Sequence, residues 1–431
     1  EHLNLKKLQK KDAFEAKSDR LLKKICCRLH ETRTSEAENV LEEFFRHKLI
    51  SLEELPESLQ HKILVERQID QFLQDPDAHL QQLDHAQKQE DFLTVAYLFA
   101  EMMPELIRRD RYSEILRILE ALKQHVLQES IWGPFANQIL EEITKESTLL
   151  LFKEKFLTAK KEVRMAIVPL FIFLGREAIP HLLAILKTSE DQWVRKNATE
   201  ALIQMGEEAI APLLPELEKA QLPMQTICDM LRVLGEIKSP QWKPPMLKIL
   251  KGYASHAQPK LREQAIHTLC QIGGTEGEDY FISSLHDPNL EVRKRAIWCL
   301  GMIKSVRGAK EMMETLKQIF LSPSEQTDQL ETQIYYAFGT MGNLTIEDKT
   351  LEQILIGVLE ERGIKRWGGL LQKNLLTDSA LGAICDALGK IGTEKSIKSL
   401  NKLAKSHGGS WIPKTEEALK RIEKRTGSSV S

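Results

Sequence analysis

The sequence predicts an all-α chain whose C-terminal two-thirds is an array of stacked helix pairs. Three observations carry this. Residues 188–206, TSEDQWVRKNATEALIQMG, and 286–304, HDPNLEVRKRAIWCLGMIK, repeat one phrase: a polar loop, Val-Arg, an apolar helix pattern, a stop. Seven segments fall into one apolar register when aligned on their ends. And of the chain's 22 glycines only Gly133 precedes Gly175, so the grammar of the two parts differs.

Residues 1–146 read as an α-helical region of stacked helix pairs. They are rich in Leu, Glu, Lys and Gln, which favour helix. Breaks are expected at Pro56, at DPD (75–77), at Pro104 and at WGP (132–134). QEDFLTVAYLF (89–99) and RDRYSEILRIL (109–119) each place a charged start ahead of an aromatic residue and an i, i+3, i+4 apolar pattern. Within 1–30, leucines at 3, 5, 8, 21, 22 and 29 alternate with lysines. That fits a coiled-coil stub, or an amphipathic helix folded back on the body. The start, EHLNLKKLQKK, has neither an initiator Met nor a signal-peptide core. A piece of a longer chain is expected, whose missing N-terminal part could hold a catalytic or sensing activity.

Residues 147–425 form the array, with 426–431 as a flexible tail. The helix ends are Gly175, Gly206, Gly235, Gly273, Lys304, Gly342 and Gly392. Glycine best adopts the left-handed conformation that closes a helix, so these positions predict such closures. One residue back stand Leu174, Met205, Leu234, Ile272, Ile303, Met341 and Ile391; four back, Phe171, Leu202, Leu231, Leu269, Leu300, Phe338 and Leu388. Positions five and eight back are also apolar or small, and offsets of one, four, five and eight share one face of an α-helix. A preceding helix completes each unit: EAIPHLLAIL (177–186) and EAIAPLLPEL (208–217) match closely, with proline in the first turns, where it is tolerated. One such pair cannot bury both its faces, whereas a stack buries a continuous core.

The pattern AIxPLLxxL followed by D(P)xxxVRxxAxxALxxxG resembles the HEAT repeat, especially its short bacterial form, over about residues 147–425. The resemblance implies a right-handed α-α superhelix, a HEAT-like solenoid, with outer helices on the convex face and inner helices on the concave one. It also implies a scaffold or adaptor, as most members are. The residue eleven before each end is Arg164, Arg195, Met224, Arg262, Arg293, Glu331 or Leu381. By the resemblance the arginines join an inter-repeat polar ladder, and Asp287 is expected to serve Arg293. A row of cations for phosphate is the other reading, and three substitutions break that row.

Positions two, six and nine back face away from the seam and should line the concave surface. In mid-array they give His267, Gln271, Arg295, Trp298, Met302 and Tyr336, with Tyr335 nearby. Exposed Trp, Tyr, Arg and Met together are typical of interface hot spots, so these residues are the expected contacts for a protein or peptide partner. The insertion ERGIKRWGGLLQKN (361–374) offers Arg366 and Trp367 as further contacts. The lysine-rich stretch 390–425 reads as a polar cap on the last repeat, or as a site for an anionic partner.

No glycine-rich phosphate loop, HExxH, G-x-S-x-G or zinc-type Cys/His spacing is present. No catalytic residue, metal or cofactor is therefore expected, and the chain reads as non-enzymatic. The alternative is a nucleic-acid-binding protein of the HEAT-like DNA glycosylase type, suggested by QWVRKNA (192–198). A net charge of −2 argues against that grip. The six cysteines form no CxxC pair and read as buried free thiols in a reducing cytoplasm. Apolar runs such as 167–175 are too short to span a bilayer. The sequence leaves the oligomeric state open.

Overall fold

The computed structural model of the chain describes residues 21, 24–29, 34–219, 221–321, 324–363, 376–405 and 409–427. The expected contacts Arg366 and Trp367, four of the six leucines of the 1–30 pattern and most of the 426–431 tail lie outside these residues. Packing divides the chain into two compact units, 1–173 and 174–431. The boundary expected at 146/147 stands one helix pair earlier, before Glu146–Thr158 and Lys161–Leu174.

In the first unit, proline and aspartate place the helix starts. Asp75 caps Pro76–Asp84 by accepting from the Ala78 N–H at 3.0 Å, and Pro76 takes the first helical position. Pro56 precedes Glu57–Gln74, and Gly133-Pro134 opens Gly133–Ile143. Pro104 is different. It was expected to break the chain, yet it lies inside the helix Gln89–Arg108. A proline there removes one hydrogen bond and costs about 3 kcal/mol. The same helix buries Phe92, Phe99, Met102, Met103, Leu106 and Ile107. At about 1.5–3 kcal/mol per large side chain, that burial outweighs the proline. The segments 89–99 and 109–119 begin the helices Gln89–Arg108 and Tyr112–Leu127, which pack on each other.

The second unit is two rows of helices. Its inner row runs Gln192–Met205, Met224–Ile237, Pro259–Gly273, Leu290–Met302, Glu325–Met341, Asp378–Ile391 and Ile412–Thr426. Each packs along the next, whereas successive outer helices touch only in places. The inner row is therefore the tightly spaced side. The apolar register is buried as the sequence predicts: Ala198, Ala201 and Leu202, then Ala265 and Leu269, then Ala296, Cys299 and Leu300 all have no exposed surface.

The helix ends agree in part. Gly175, Gly206, Lys304 and Gly342 have φ of 57°, 67°, 53° and 84°, the left-handed closures expected. Gly235, Gly273 and Gly392 do not close helices in this way. The left-handed residues are instead Lys238 (φ 51°) and Gly274 (φ 55°), and Gly392 is extended at φ −67°. Gly235 instead lies against the next inner helix, where a Cβ would overlap the Gln271 side-chain oxygen and come 3.2 Å from the Thr268 methyl, so Gln271 would have to move aside.

The last inner helix, Ile412–Thr426, continues the row beyond the seven aligned ends. It buries Thr415, Ala418, Leu419 and Ile422. Arg425 donates to the carbonyls of Gly389 (3.1 Å) and Lys390 (2.8 Å) and also to that of Gly392, satisfying the orphan C-terminal carbonyls of its neighbour. The lysine-rich stretch is thus a packed element with a charged outer face.

One described stretch, Lys161–Thr188, is long and apolar enough by composition to be considered for a membrane crossing. It is two helices of 14 and 10 residues, separated by the turn Gly175–Ala178. At 1.5 Å per residue these reach roughly 21 and 15 Å, short of a hydrocarbon core of about 30 Å.

Candidate interaction surface

The repeated arginine is the best-defined polar feature of the inner row. Arg195 Nη1 donates to the carbonyls of Ser189 (3.0 Å) and Glu190 (2.8 Å). Arg262 does the same to His256 (2.8 Å) and Ala257 (2.9 Å), and Arg293 to Asp287 (2.8 Å) and Pro288 (3.3 Å). The partners are always six and five residues back, so each arginine closes its own loop. The other edge of the guanidinium reaches the next repeat: Arg195 Nε to Asp229 at 3.2 Å, Arg262 Nε and Nη2 to both carboxylate oxygens of Asp287 at 2.7 Å. This is the polar ladder implied by the resemblance, with one correction. Asp287 serves Arg293 through its carbonyl, while its carboxylate belongs to Arg262. Burial works against the Asp287 carboxylate. The bonds from Arg262 and the Asn289 N–H, with the charges of Arg262 and Arg293, outweigh burial and hold its pKa below the ordinary value.

Where Glu331 takes the arginine position, the charge is inverted. Tyr335 Oη donates to Glu331 at 2.6 Å, Arg362 pairs with the same carboxylate, and the Arg362 guanidinium lies 4.0 Å from the Phe320 ring centroid. Tyr335, placed near the surface cluster by its sequence position, is thereby fully buried. Its hydroxyl is aimed into this network, not outward.

The outward positions gather in two places. His267 and Trp298, from neighbouring inner helices, have ring centroids 5.2 Å apart, and the Arg295 guanidinium lies 5.6 Å from the Trp298 centroid. Arg295 Nη2 is held by Glu263 at 3.0 Å. A cleft of about 160 Å³ opens beside them, lined by Glu263, Glu291, Lys294, Arg295, Trp298 and Gln333. Met302, one turn beyond Trp298, is 50% exposed. Gln271 lies one turn beyond His267 and donates to Glu236 at 3.3 Å. Tyr336 stands apart from this group. Its hydroxyl accepts from Lys414 Nζ at 2.9 Å, in a second cleft of about 240 Å³ that also includes Asp386, Glu417 and Arg421.

Lys414 and Glu263 were missed by the sequence reading. Lys414 sits on the inner helix that the aligned ends omitted, and Glu263 lies just after an arginine already given a role. Burial, then repulsion from Arg295, lowers the His267 pKa against the opposing pull of Glu236 and Glu263. Its Nδ1 is buried with no partner among the described residues, so the neutral ring, with Nδ1 as acceptor, suits the site. The cluster thus offers a fixed aromatic face, a clamped guanidinium and an exposed thioether, which suit contact with another protein. Among the described residues no group of His, Cys, Asp or Glu is arranged to hold a metal ion, and the described cysteines are free.

A family model described as HEAT repeats matches residues 244–332. Residues 244–332 are HEAT repeats. Among solved structures the chain is similar to importin beta, at 12% identity over 94% of this chain and 71% of that one, with a TM-score of 0.48. It is similar to Kap121p, solved bound to Nup53p, at 12% identity over 80% of this chain and 41% of that one, with a TM-score of 0.45. It is also similar to human deoxyhypusine hydroxylase, at 16% identity over 68% of this chain and all of that one, with a TM-score of 0.27. The match thus spans less than half of Kap121p, and what these proteins bind or catalyse is theirs. No curated protein matches the chain.

Proposed function

We propose that the chain is a non-enzymatic scaffold or regulatory adaptor that binds a protein or peptide partner on the inner face of its HEAT repeats. The observation that carries this is the His267–Trp298–Arg295 group with Met302 beside it. A large aromatic side chain left half-buried between two inner helices, with a guanidinium pinned over it by Glu263, is the composition of a hot spot at rest. Gln271, one turn beyond His267, would contribute to its rim, and Tyr336, in the separate cleft with Lys414, would be a second contact along the same row.

The charges argue against nucleic acid as the partner. Arg195, Arg262, Arg295 and Arg421 are each held by a carboxylate of their own chain. A phosphate track needs cations whose counterions are free to leave. We place the protein in a bacterial cytoplasm, in keeping with the short form of the repeat and with buried, unpaired thiols such as Cys228, Cys299 and Cys385.

The test is an affinity pull-down from nuclease-treated lysate of the source organism. Wild type is compared with a Trp298→Ala/Met302→Glu variant whose circular dichroism is unchanged. A protein recovered by the wild type and lost from the variant supports the reading. Equal recovery by both removes the inner face from consideration.

A further inference from the structure

The outer side of the array carries a groove of about 440 Å³ that belongs to none of the features above. It lies between the outer helix Val306–Leu321, the hairpin in which Thr345–Ile346 pairs with Lys349–Thr350, and the outer helix Leu351–Val358 with its following turn Leu359–Gly363. The hairpin is an insertion between inner and outer helix. It packs on both outer helices, and those two helices barely touch each other. The groove has an apolar floor, including Met313, Ile346, Ile354 and Val358. Its rim carries Glu311, Glu314, Glu347, Asp348 and Glu361 against Lys310, Lys317 and Lys349. Lys317 is already paired with Glu314 at 2.5 Å. Among the described residues Glu311, Glu347, Asp348 and Glu361 make no ion pair, and neither do Lys310 and Lys349, so four carboxylates face two ammonium groups and the rim is acidic in excess.

We propose that this groove docks a linear segment of a partner protein that presents a bulky apolar side chain flanked by Lys or Arg. The apolar floor supplies the free energy of burial, and the unpaired carboxylates select the flanking charge. The volume falls in the range of small ligand pockets, roughly 300–1,000 Å³, which suits one or two large side chains rather than a flat protein face. Gly357 lines the groove near the C-terminal end of its helix. A Cβ at Gly357 would meet nothing within 4 Å, so the helix presents bare backbone there and leaves the floor open.

That open space also supplies the test. A phage-displayed library of random dodecamers is selected on the full chain. The enriched peptides are then measured by fluorescence anisotropy against wild type, Gly357→Trp and Glu311→Lys/Asp348→Lys. The expected peptides carry Leu, Phe, Met or Trp flanked by Lys or Arg. Gly357→Trp plugs the groove and weakens them at least tenfold. The charge reversal, on exposed or partly exposed side chains, weakens them several-fold even if the tryptophan variant folds poorly. Trp298→Ala leaves them unchanged, which separates this groove from the inner face. Enriched peptides without basic residues, undiminished binding to both groove variants, or no enrichment at all would each overturn the proposal.

Discussion

At the scale of single residues, the arginine ladder shows how a repeat array spends its polar groups. Arg262 makes two loop-closing bonds and a bidentate pair with Asp287, whose side chains are 12% and 9% exposed. An exposed pair contributes at most about 1 kcal/mol, and breaking a fully buried one costs about 3–5 kcal/mol. Arg262→Ala should therefore destabilise by about 2–3 kcal/mol, seen as a lower urea midpoint. Arg262→Lys should recover only part of this, because an ammonium cannot hold both carboxylate oxygens and two carbonyls at once. Equal midpoints for wild type and Arg262→Ala would show that the ladder is decorative. His267 gives a second readout. Its folded pKa lies below the ordinary histidine value of about 6.5, so the unfolded chain binds the extra proton more readily. The ring's contribution to stability is intact above about pH 6.5 and is lost as the pH falls from there toward the folded pKa. An NMR titration of the His267 ring should give a midpoint below 6.5, moving upward in Arg295→Gln as the repulsion is removed. A midpoint at 6.5 or higher in the wild type would mean that the ring is solvated and the cluster loose.

At the scale of helices, the close approach of the inner row depends on glycines that look alike in the sequence and serve different needs. A Cβ on Gly339 would lie 2.7 Å from the Ala387 Cα, and one on Gly389 would lie 3.0 Å from the Ala418 Cα. Those neighbours are backbone and cannot swing aside, so overpacking at about 1–3 kcal/mol or more should exceed the roughly 1 kcal/mol that alanine gains over glycine in a helix. Gly339→Ala should lower the urea midpoint, whereas Gly357→Ala, in open space on an outer helix, should raise it. The opposite order would show that inner-row spacing is not set by these contacts. The same ambiguity limited what the sequence reveals. Offsets of one, four, five and eight identified the buried face because burial acts on every turn of a helix and repeats seven times. Gly175, Gly206 and Gly342 were correctly legible as left-handed closures. Gly235 was not, since a glycine lying against a neighbouring helix has the same letter as one that takes a positive φ. Pro104 misled for a related reason: a local rule yielded to the burial of six large side chains on the same helix. At the surface, the outward placement of His267, Arg295 and Trp298 followed from register, while the burial of Tyr335 did not, because its hydroxyl partner Glu331 stands where other repeats carry the ladder arginine.

At the scale of the array, the second unit behaves as a quasi-one-dimensional stack, in which each helix pair leans on its neighbours. Its C-terminal end is therefore the place where that idea is most exposed. The helix Ile412–Thr426 was hard to read because eight of its 15 residues are charged and few are apolar. Yet its Ala418 lies against Gly389, and Arg421 and Arg425 tie it to Asp386 and to the carbonyls of Gly389 and Lys390. Removing residues 409–431 would uncover one face of Asp378–Ile391 and leave those carbonyls without their arginine. In a stack held by nearest-neighbour contacts the damage should stay local. Amide hydrogen exchange in Asp378–Ile391 should then rise at least tenfold, with a smaller rise in Glu325–Met341. Exchange in Met224–Ile237 and Pro259–Gly273 should remain as in the intact chain. Such a gradient also predicts that the His267–Trp298 group survives the truncation, because its supports lie within its own and adjacent repeats. Uniform loss of protection from 174 to 405 would instead mean that the unit folds as one cooperative body. The terminal helix would then be a keystone for the whole unit, and the inner-face cluster could not be tested independently of it.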